Sequence, residues 1–271
     1  MLVDLLGLGK NYSVHGEQVD HFMELIHIFM FALFVGWTIF FLYTIFRFWR
    51  KRHPKADHHG VRSHLSTHLE VGVVIIEAVL LLGFAFPLWA ERSDGFDEVS
   101  RSNPVKARVI GYQFGWVYHY PGADGVFGRV DTSTLYGMSG DANVALDSSD
   151  PNAADDIISS ELVLPVERPV ILNITSRDVI HNYAIVPLRI QQDAMPGKEI
   201  PMWFTATEPL DTFVICAQLC GEGHANMVGN LSVKKAKAFD SWYESQSKAA
   251  KKVRMEALGL KADTAKEVAN N

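Results

Sequence analysis

Two long apolar stretches occupy the first third of the chain, and short alternating stretches follow them. Residues 22–46 and 71–90 are almost continuously apolar. At about 1.5 Å per residue, each stretch can cross the roughly 30 Å hydrocarbon core of a bilayer. A pair of buried core helices is the alternative, but a hairpin this apolar and aromatic would aggregate in water. The pattern predicts a transmembrane hairpin at residues 21–92, after an external segment at residues 1–20.

The connection between the two apolar stretches is strongly cationic. Its charged residues are Arg47, Arg50, Lys51, Arg52, Lys55 and Arg62 against Asp57 alone. Because loops rich in Lys and Arg stay in the cytoplasm, we expect the loop at about 47–69 to be cytoplasmic. Both chain ends and all residues after about 92 are then predicted to lie on the periplasmic side of the inner (plasma) membrane.

One ionisable residue, Glu77, interrupts the second apolar stretch. It lies seven residues after Glu70, which corresponds to about 10 Å of helix. Ionisable groups at such depth are costly and usually face protein or water. A protonated Glu77 bonded to a partner helix and a proton relay account for it equally well.

From Val105 onwards, short alternating apolar stretches are separated by turn residues, many of them proline. No amphipathic helix of about 20 residues intervenes before residue 233, so a parallel βαβ sheet is not expected. The pattern predicts a β-sandwich of about seven to nine strands at residues 93–233. An acidic, loop-rich insertion is predicted at about 123–160, and a surface helix with a frayed tail at 234–271.

Composition narrows the class of protein. The 271 residues carry a net charge of −6, so no nucleic-acid partner is expected. Two cysteines are too few for a disulfide framework. Residues 1–20 are charged and contain no apolar run before a cleavage site, so no cleaved signal peptide is expected. The acidic insertion is either a solvated surface or a docking patch for a basic partner.

Four potential metal ligands lie within twelve residues: Cys216, Cys220, His224 and Met227. Thiolates and a thioether favour copper, and imidazole completes such a shell. The four residues follow an apolar strand in a glycine-rich loop, which allows their side chains to converge. His181 is predicted to join them from another loop at the same end of the sandwich.

Three other interpretations of this cluster remain open. A Cys216–Cys220 disulfide would leave His224 and Met227 unexplained. A zinc site has no use for Met227, and a mononuclear blue-copper site uses one cysteine rather than two. Spacing alone indicates a soft-metal site and does not decide between one ion and two.

The motif C-x-Q-x-C-x3-H-x2-M, with D-V-x-H upstream and two apolar stretches before it, resembles subunit II of haem–copper cytochrome c oxidases. The resemblance covers about residues 20–235. Further matching motifs are L-E at 69–70, G-x-Q-x-x-W-x-Y-x-Y at 111–120, L-x-L-P at 162–165 and D-A-x-P-G at 193–197. It implies a two-helix transmembrane hairpin followed by an all-β cupredoxin-like sandwich.

The resemblance also implies a binuclear copper centre. Both thiolates would bridge two copper ions, and His181 and His224 would each bind one of them. Met227 would complete one ion and the backbone carbonyl of Gln218 the other. Electrons would come from cytochrome c or a membrane-bound cytochrome and pass to haem in subunit I. Oxygen reduction and proton translocation would occur there, so no catalytic residue is expected in this chain.

Two residues depart from the family pattern. Gln218 stands where the family commonly has a Glu that reaches a magnesium or manganese ion at the subunit interface. A neutral amide is a poorer ligand for a hard cation, which puts that ion in question. Phe114 stands where the family commonly has the Trp through which electrons enter. Either the electron donor docks differently on this chain, or Trp116 or Tyr112 takes over the role of that Trp.

Three acidic residues complete the comparison with the family. Glu70 matches an acid at the mouth of a proton-uptake path, whereas Glu77 has no family role. Asp178 matches an acidic position near the donor surface. Two other functions remain as alternatives: a quinol-oxidase subunit of the same fold, whose members typically lack the copper ligands, and a membrane-anchored copper-binding or copper-delivery protein.

Overall fold

The structure, a computed structural model, describes residues 5–55, 58–59, 63–130, 144–147 and 149–257. Within it the chain forms two compact units. One contains the chain up to Gly7 together with Glu17–Gly95. The other contains Leu8–Gly16 together with all residues from Phe96 onwards. The loop residues Asp57 and Arg62, part of the acidic insertion and the tail after residue 257 lie outside the described residues.

The first unit is a pair of antiparallel helices. Its elements are α1 (Gly16–Arg47), α2 (Leu65–Leu80), a π-helical segment (Leu81–Ala85) and α3 (Phe86–Asp94). The rings of Phe22 and Phe84 stack with centroids 6.3 Å apart, and Gln18 donates to the carboxylate of Glu91 at 3.1 Å. Pro87 has no N–H for the carbonyl four residues earlier, and the π-helical segment accommodates that lost hydrogen bond.

Both helical stretches are long and apolar enough to cross a membrane. They span 32 residues at Gly16–Arg47 and 37 residues at Leu65–Arg101. Each extends beyond the apolar stretch seen in the sequence, because polar residues at the ends continue the helical hydrogen bonding. The prediction of two apolar helices before a β-domain is confirmed.

The second unit is a sandwich of two five-stranded sheets, preceded by the short helix α4 (Phe96–Arg101). Its strands are β1 (Val105–Tyr112), β2 (Gly115–Tyr120), β3 (Ile157–Ser159), β4 (Glu161–Pro165), β5 (Pro169–Ser176), β6 (His181–Ile185), β7 (Ile190–Ala194), β8 (Ile200–Thr205), β9 (Leu210–Cys216) and β10 (Val228–Lys234). The strand orders are β3-β2-β1-β5-β8 and β4-β10-β9-β6-β7. Pairing is mostly antiparallel, but β1 with β5 and β4 with β10 are parallel.

The ten described strands exceed the seven to nine that the sequence predicted. The difference arises at β3 and β4, which a bend at Ser160 separates. The side-chain hydroxyl of Ser159 donates to the backbone of Glu161 at 2.7 Å, so this turn closes locally. β3 also lies within the stretch that was predicted to be an acidic loop.

The core fills the space between the inner faces of the two sheets. Large side chains with no solvent exposure come from both sheets, among them Tyr118 and Phe204 from one and Tyr183 and Leu164 from the other. Tyr120 links the sheets, since its hydroxyl donates to the carbonyl of Val163 at 3.0 Å and accepts from the Val163 N–H. A polar group this deeply buried is tolerated because both of its hydrogen-bonding roles are filled.

The N-terminal segment Leu8–Gly16 belongs to the sandwich rather than to the helices. Val14 donates through its backbone to Thr205 at 3.0 Å, and Ser13 pairs with Ala206. The Lys10 ammonium contacts the carboxylate of Glu208 at 2.6 Å. The sequence predicted only an external segment here, because a single short pairing segment leaves no periodic pattern.

The C-terminal helix α5 (Ala236–Ala257) covers one part of the sandwich. Phe239 is buried, and Trp242 and Tyr243 pack edge-on against Tyr120 with ring centroids 5.5 and 6.0 Å away. The predicted surface helix is therefore present, and one of its faces forms part of the core.

Candidate metal centre

Two paired strands bring the donor loop together. β9 ends at Cys216 and β10 begins directly after Met227. The N–H of Cys216 donates to the carbonyl of Met227 at 3.2 Å, which closes the intervening loop. A short 3-10 turn at His224–Asn226 aims His224 back towards the cysteines. Residues eleven positions apart in the sequence thus converge because the hairpin folds back on itself.

His181 reaches the cluster from the neighbouring strand. It is the first residue of β6, which pairs with β9 so that Tyr183 lies opposite Cys216. The N–H of Ala217 donates to the carbonyl of Asn182 at 2.9 Å and extends this pairing beyond the strand end. His181 therefore lies on a strand end and not in a loop, although the predicted end of the sandwich is the right one.

The five side-chain donors form one compact group. Cys216 Sγ lies 3.7 Å from Cys220 Sγ and 3.9 Å from His181 Nδ1. Cys220 Sγ lies 3.6 Å from His224 Nδ1 and 3.7 Å from Met227 Sδ. Donors around a tetrahedral ion at about 2.0–2.3 Å are separated by roughly 3.3–3.8 Å. The spacing therefore fits metal binding with little movement.

The sixth predicted ligand, the carbonyl of Gln218, also faces the cluster. It lies 3.1 Å from Cys216 Sγ. The side chain of Gln218 is exposed to solvent. The backbone carbonyl is thus available as a weak ligand, while the side-chain amide is open to solvent.

Both cysteines are free thiols. Their sulfurs are far beyond the roughly 2.05 Å of a disulfide bond. Burial raises the pKa of Cys220 to about 11, and the neighbouring Cys216 adds to this. Two buried thiols and a buried imidazole, His181, lie within 4.8 Å of one another and could hold a metal ion. A metal ion that displaced the thiol protons could bind to both sulfurs and to the imidazole nitrogen.

Asp178 fixes the orientation of His181. Its Oδ1 lies 2.7 Å from His181 Nε2, which donates to it and leaves Nδ1 free to face Cys216. The other oxygen, Oδ2, accepts from the N–H of Gln113 at 2.6 Å. Partial burial opposes ionisation of Asp178, but the hydrogen bonds from Gln113, His181 and Val179 outweigh it and lower its pKa. The sequence predicted only a surface role for this acid.

The aromatic residues named in the sequence differ sharply in exposure. Phe114 is 40% exposed, and its ring lies against Gly221 and Gly223 of the donor loop. Trp116 is only 3% exposed and packs edge-on against His181 with ring centroids 5.8 Å apart. Tyr112 lies under the guanidinium of Arg177, 4.3 Å from its ring centre. Phe114 alone of the three combines solvent exposure with contact to the donor loop.

The remaining predicted residues lie elsewhere. Glu70 and Glu77 belong to α2 in the helical unit, two turns apart and on nearly the same helix face. Asp156 of the acidic insertion is buried and accepts from His119 at 2.6 Å and from the Gly128 N–H at 2.8 Å. This acid is therefore neither part of a solvated face nor free for docking. Others, such as Asp131 and Asp141, fall outside the described residues.

Fold and donor set together define a cupredoxin-like domain with a cluster of donors that could hold a soft metal ion, preceded by two apolar helices. Residues 105–233 match the family described as cytochrome c oxidase subunit II, periplasmic domain. The sandwich of this chain is similar to that domain family over these residues.

Two similar proteins are each named as subunit 2 of a cytochrome c oxidase, and each aligns with this chain over most of its own length. The alternative cytochrome c oxidase subunit 2 of Bradyrhizobium diazoefficiens is 28% identical over 217 residues, which cover 79% of this chain and 75% of the relative. Cytochrome c oxidase subunit 2 of Cereibacter sphaeroides is 27% identical over 248 residues, which cover 88% of this chain and 79% of that relative. The crystal structure of the periplasmic domain of subunit II from Bradyrhizobium japonicum is 27% identical, covering 54% of this chain and 94% of that one, with a TM-score of 0.39.

Proposed function

We propose that this chain is the electron-accepting subunit of a respiratory terminal oxidase. It would receive electrons from cytochrome c at a binuclear copper centre and pass them to haem in subunit I, where oxygen is reduced to water and protons are translocated. The observation that carries the proposal is the pair of buried thiols between two imidazoles, in a domain of the subunit II family.

The donor arrangement favours two ions over one. Each thiol has its own histidine neighbour. His181 Nδ1 lies beside Cys216 Sγ, and His224 Nδ1 lies beside Cys220 Sγ. A mononuclear blue-copper site needs one thiolate between two imidazoles, so the second thiol would be superfluous there. Cys216 and Cys220 would together hold two copper ions, and this pair would supply a site that accepts and releases one electron. Met227 and the Gln218 carbonyl supply the two weaker ligands.

Residues around the donors would hold that centre rigid. Asp178 fixes the tautomer of His181, and such partners of metal-binding histidines commonly strengthen metal binding 10–100-fold. Trp116 packs edge-on against the same imidazole. A ligand shell that moves little between oxidation states suits electron transfer. The exposed amide of Gln218 offers no carboxylate for an interface magnesium ion, so we do not include that ion in the proposal.

The helical unit supplies the proposed membrane anchor. The described cations between α1 and α2 are Arg50, Lys51, Arg52 and Lys55, and such loops stay cytoplasmic. The sandwich would then face the periplasm of an inner (plasma) membrane, beside subunit I. Glu70 near the start of α2 would lie towards the cytoplasm at the mouth of a proton path, with Glu77 two turns further along.

Phe114 is our proposed point of electron input. Its ring is exposed and contacts the donor loop, whereas the side chain of Trp116 is buried. This assignment separates the chain from relatives with Trp at that position.

Electron transfer from reduced cytochrome c to the copper-loaded full chain tests this function. In Phe114→Ala we expect the second-order rate constant to fall at least about fivefold, because truncation of a central aromatic contact commonly costs more than 1 kcal/mol of binding. Phe213→Ala removes another exposed phenylalanine and should leave the rate unchanged. Equal rates in both variants would contradict the role of Phe114, and no electron uptake by the unaltered chain would contradict the function.

A further inference from the structure

Gln113 lies in the two-residue turn between β1 and β2, immediately before the exposed Phe114. A glutamine in such a turn ordinarily points into solvent or bonds to its own hairpin. Here it contacts two distant segments of the chain, and both of them carry donors of the metal cluster.

The first contact is made by the backbone. The N–H of Gln113 donates to Asp178 Oδ2 at 2.6 Å. The other oxygen of the same carboxylate accepts from His181 Nε2. Gln113 is therefore linked to one imidazole of the cluster through a single intervening residue.

The second contact is made by the side chain. Gln113 Nε2 donates to the carbonyl of Cys220 at 2.6 Å, across 107 positions of sequence. A Cβ atom on Gly221, which has φ of +135°, would lie 2.7 Å from this nitrogen. Only glycine at that position leaves space for the amide, which shows how closely the turn and the donor loop pack.

These contacts are chemically specific. The backbone N–H would bond to Asp178 whatever side chain residue 113 carried, but only a donor of this length reaches the Cys220 carbonyl. Because that carbonyl belongs to a ligand residue, its position helps to set the position of the Cys220 sulfur. The two bonds thus fix the separation between the His181 segment and the donor loop.

We propose that Gln113 is a positioning residue of the metal centre, which holds the donor loop against the His181 segment through the Cys220 carbonyl. The inference rests on the proposed function for its purpose, but the contact itself can be tested without any metal. Without the side-chain bond, the donor loop opens more often, and the buried thiols become accessible during those openings.

The test compares full chains in detergent, each with a single substitution. Gln113→Met keeps the length and bulk of the side chain and removes the donor, and Gln113→Glu replaces the donor with an acceptor of the same shape. Gln191→Met is the matched control, since Gln191 is exposed on β7. The rate at which iodoacetamide alkylates Cys216 and Cys220 in the metal-free chain is measured first. The absorption spectrum and the rate of copper removal by a chelator are then measured after copper loading.

In Gln113→Met and Gln113→Glu we expect alkylation and copper removal to be about fivefold to tenfold faster, the factor for one hydrogen bond of about 1–1.4 kcal/mol. The copper spectrum should also shift, and Gln191→Met should match the unaltered chain. Unchanged alkylation and an unchanged spectrum would overturn the proposal, even if thermal stability fell. If the metal-free chain responds as expected but the unaltered chain binds no copper, the positioning role stands and the proposed function fails.

Discussion

The described part of the sandwich contains two histidine–aspartate pairs with buried rings, which differ chiefly in what the second ring nitrogen faces. His181 Nε2 bonds to Asp178 at 2.7 Å, and His119 Nε2 bonds to Asp156 at 2.6 Å. The other nitrogen of His181 faces the thiol of Cys216, whereas that of His119 accepts from the Arg108 guanidinium at 3.1 Å. The carboxylate orients the ring in both pairs, but only the first leaves a nitrogen that a metal ion can use.

The difference teaches that a histidine–carboxylate pair is not in itself a functional signal. Both ring nitrogens of His119 have hydrogen-bond partners, Asp156 Oδ2 also accepts from Gly128, and the guanidinium of Arg108 lies over Phe127. Around His181 the ring nitrogen and two thiols form an open set of donors. Function depends on what the second nitrogen faces.

The largest expected effect separates the two histidines directly. His181→Ala should abolish the binuclear copper spectrum, because it removes one of the two imidazoles. His119→Ala should retain that spectrum and lose only stability, since no donor of the cluster contacts it. Absorption spectroscopy after copper loading and thermal unfolding of both variants check this. Loss of the spectrum in both variants would show that the comparison is wrong.

A smaller effect is expected from the two aspartates. Asp178→Asn keeps the size of the side chain but weakens the bond that orients His181. We expect copper affinity to fall about 10–100-fold, as for other partners of metal-bound histidines. Asp156→Asn should leave copper affinity unchanged. Competition with a copper chelator measures both affinities. An unchanged copper affinity in Asp178→Asn would show that Asp178 does not contribute to copper binding.

The smallest effect concerns pH. Burial lowers the pKa of His119 below the ordinary value of 6.5, although Asp156 favours the charged ring. The unfolded chain therefore binds more protons than the folded one as the pH falls below about 6.5, and this residue makes the domain less stable in acid. His119→Gln should flatten the decline in unfolding temperature of the metal-free chain between pH 7 and 5. A decline identical to that of the unaltered chain would exclude His119 as its source.

The donor set could be predicted from sequence because its members are close in the chain and chemically distinctive. His181 needed the upstream D-V-x-H motif, since a lone histidine carries little information. The role of Gln113 could not be predicted, because its partners, Asp178 and the Cys220 carbonyl, lie 65 and 107 positions away. Asp178 lies only three residues before His181, but the sequence alone does not indicate that its carboxylate bends back onto the ring. Hydrogen bonds of that kind leave no periodic trace in the sequence.

The aromatic residues show the same limit. The turn after Tyr112 resets the alternation of inward and outward side chains, so that Trp116, Tyr118 and Tyr120 point into the core. The sequence names Trp116 as a candidate for electron entry, and the structure places its side chain in the core with 3% exposure. The sequence likewise predicts loop throughout the acidic insertion, because the pairing of β3 with β2 becomes visible only in three dimensions.

The copper content and spectrum of the full chain test the central claim most directly. The chain, purified in detergent, loaded with copper and freed of unbound metal, should contain two copper ions per molecule. It should also show the purple, multi-line absorption of a thiolate-bridged pair. One copper ion per chain with a single-thiolate spectrum, or no retained copper, would contradict the binuclear centre and the electron-transfer function built on it.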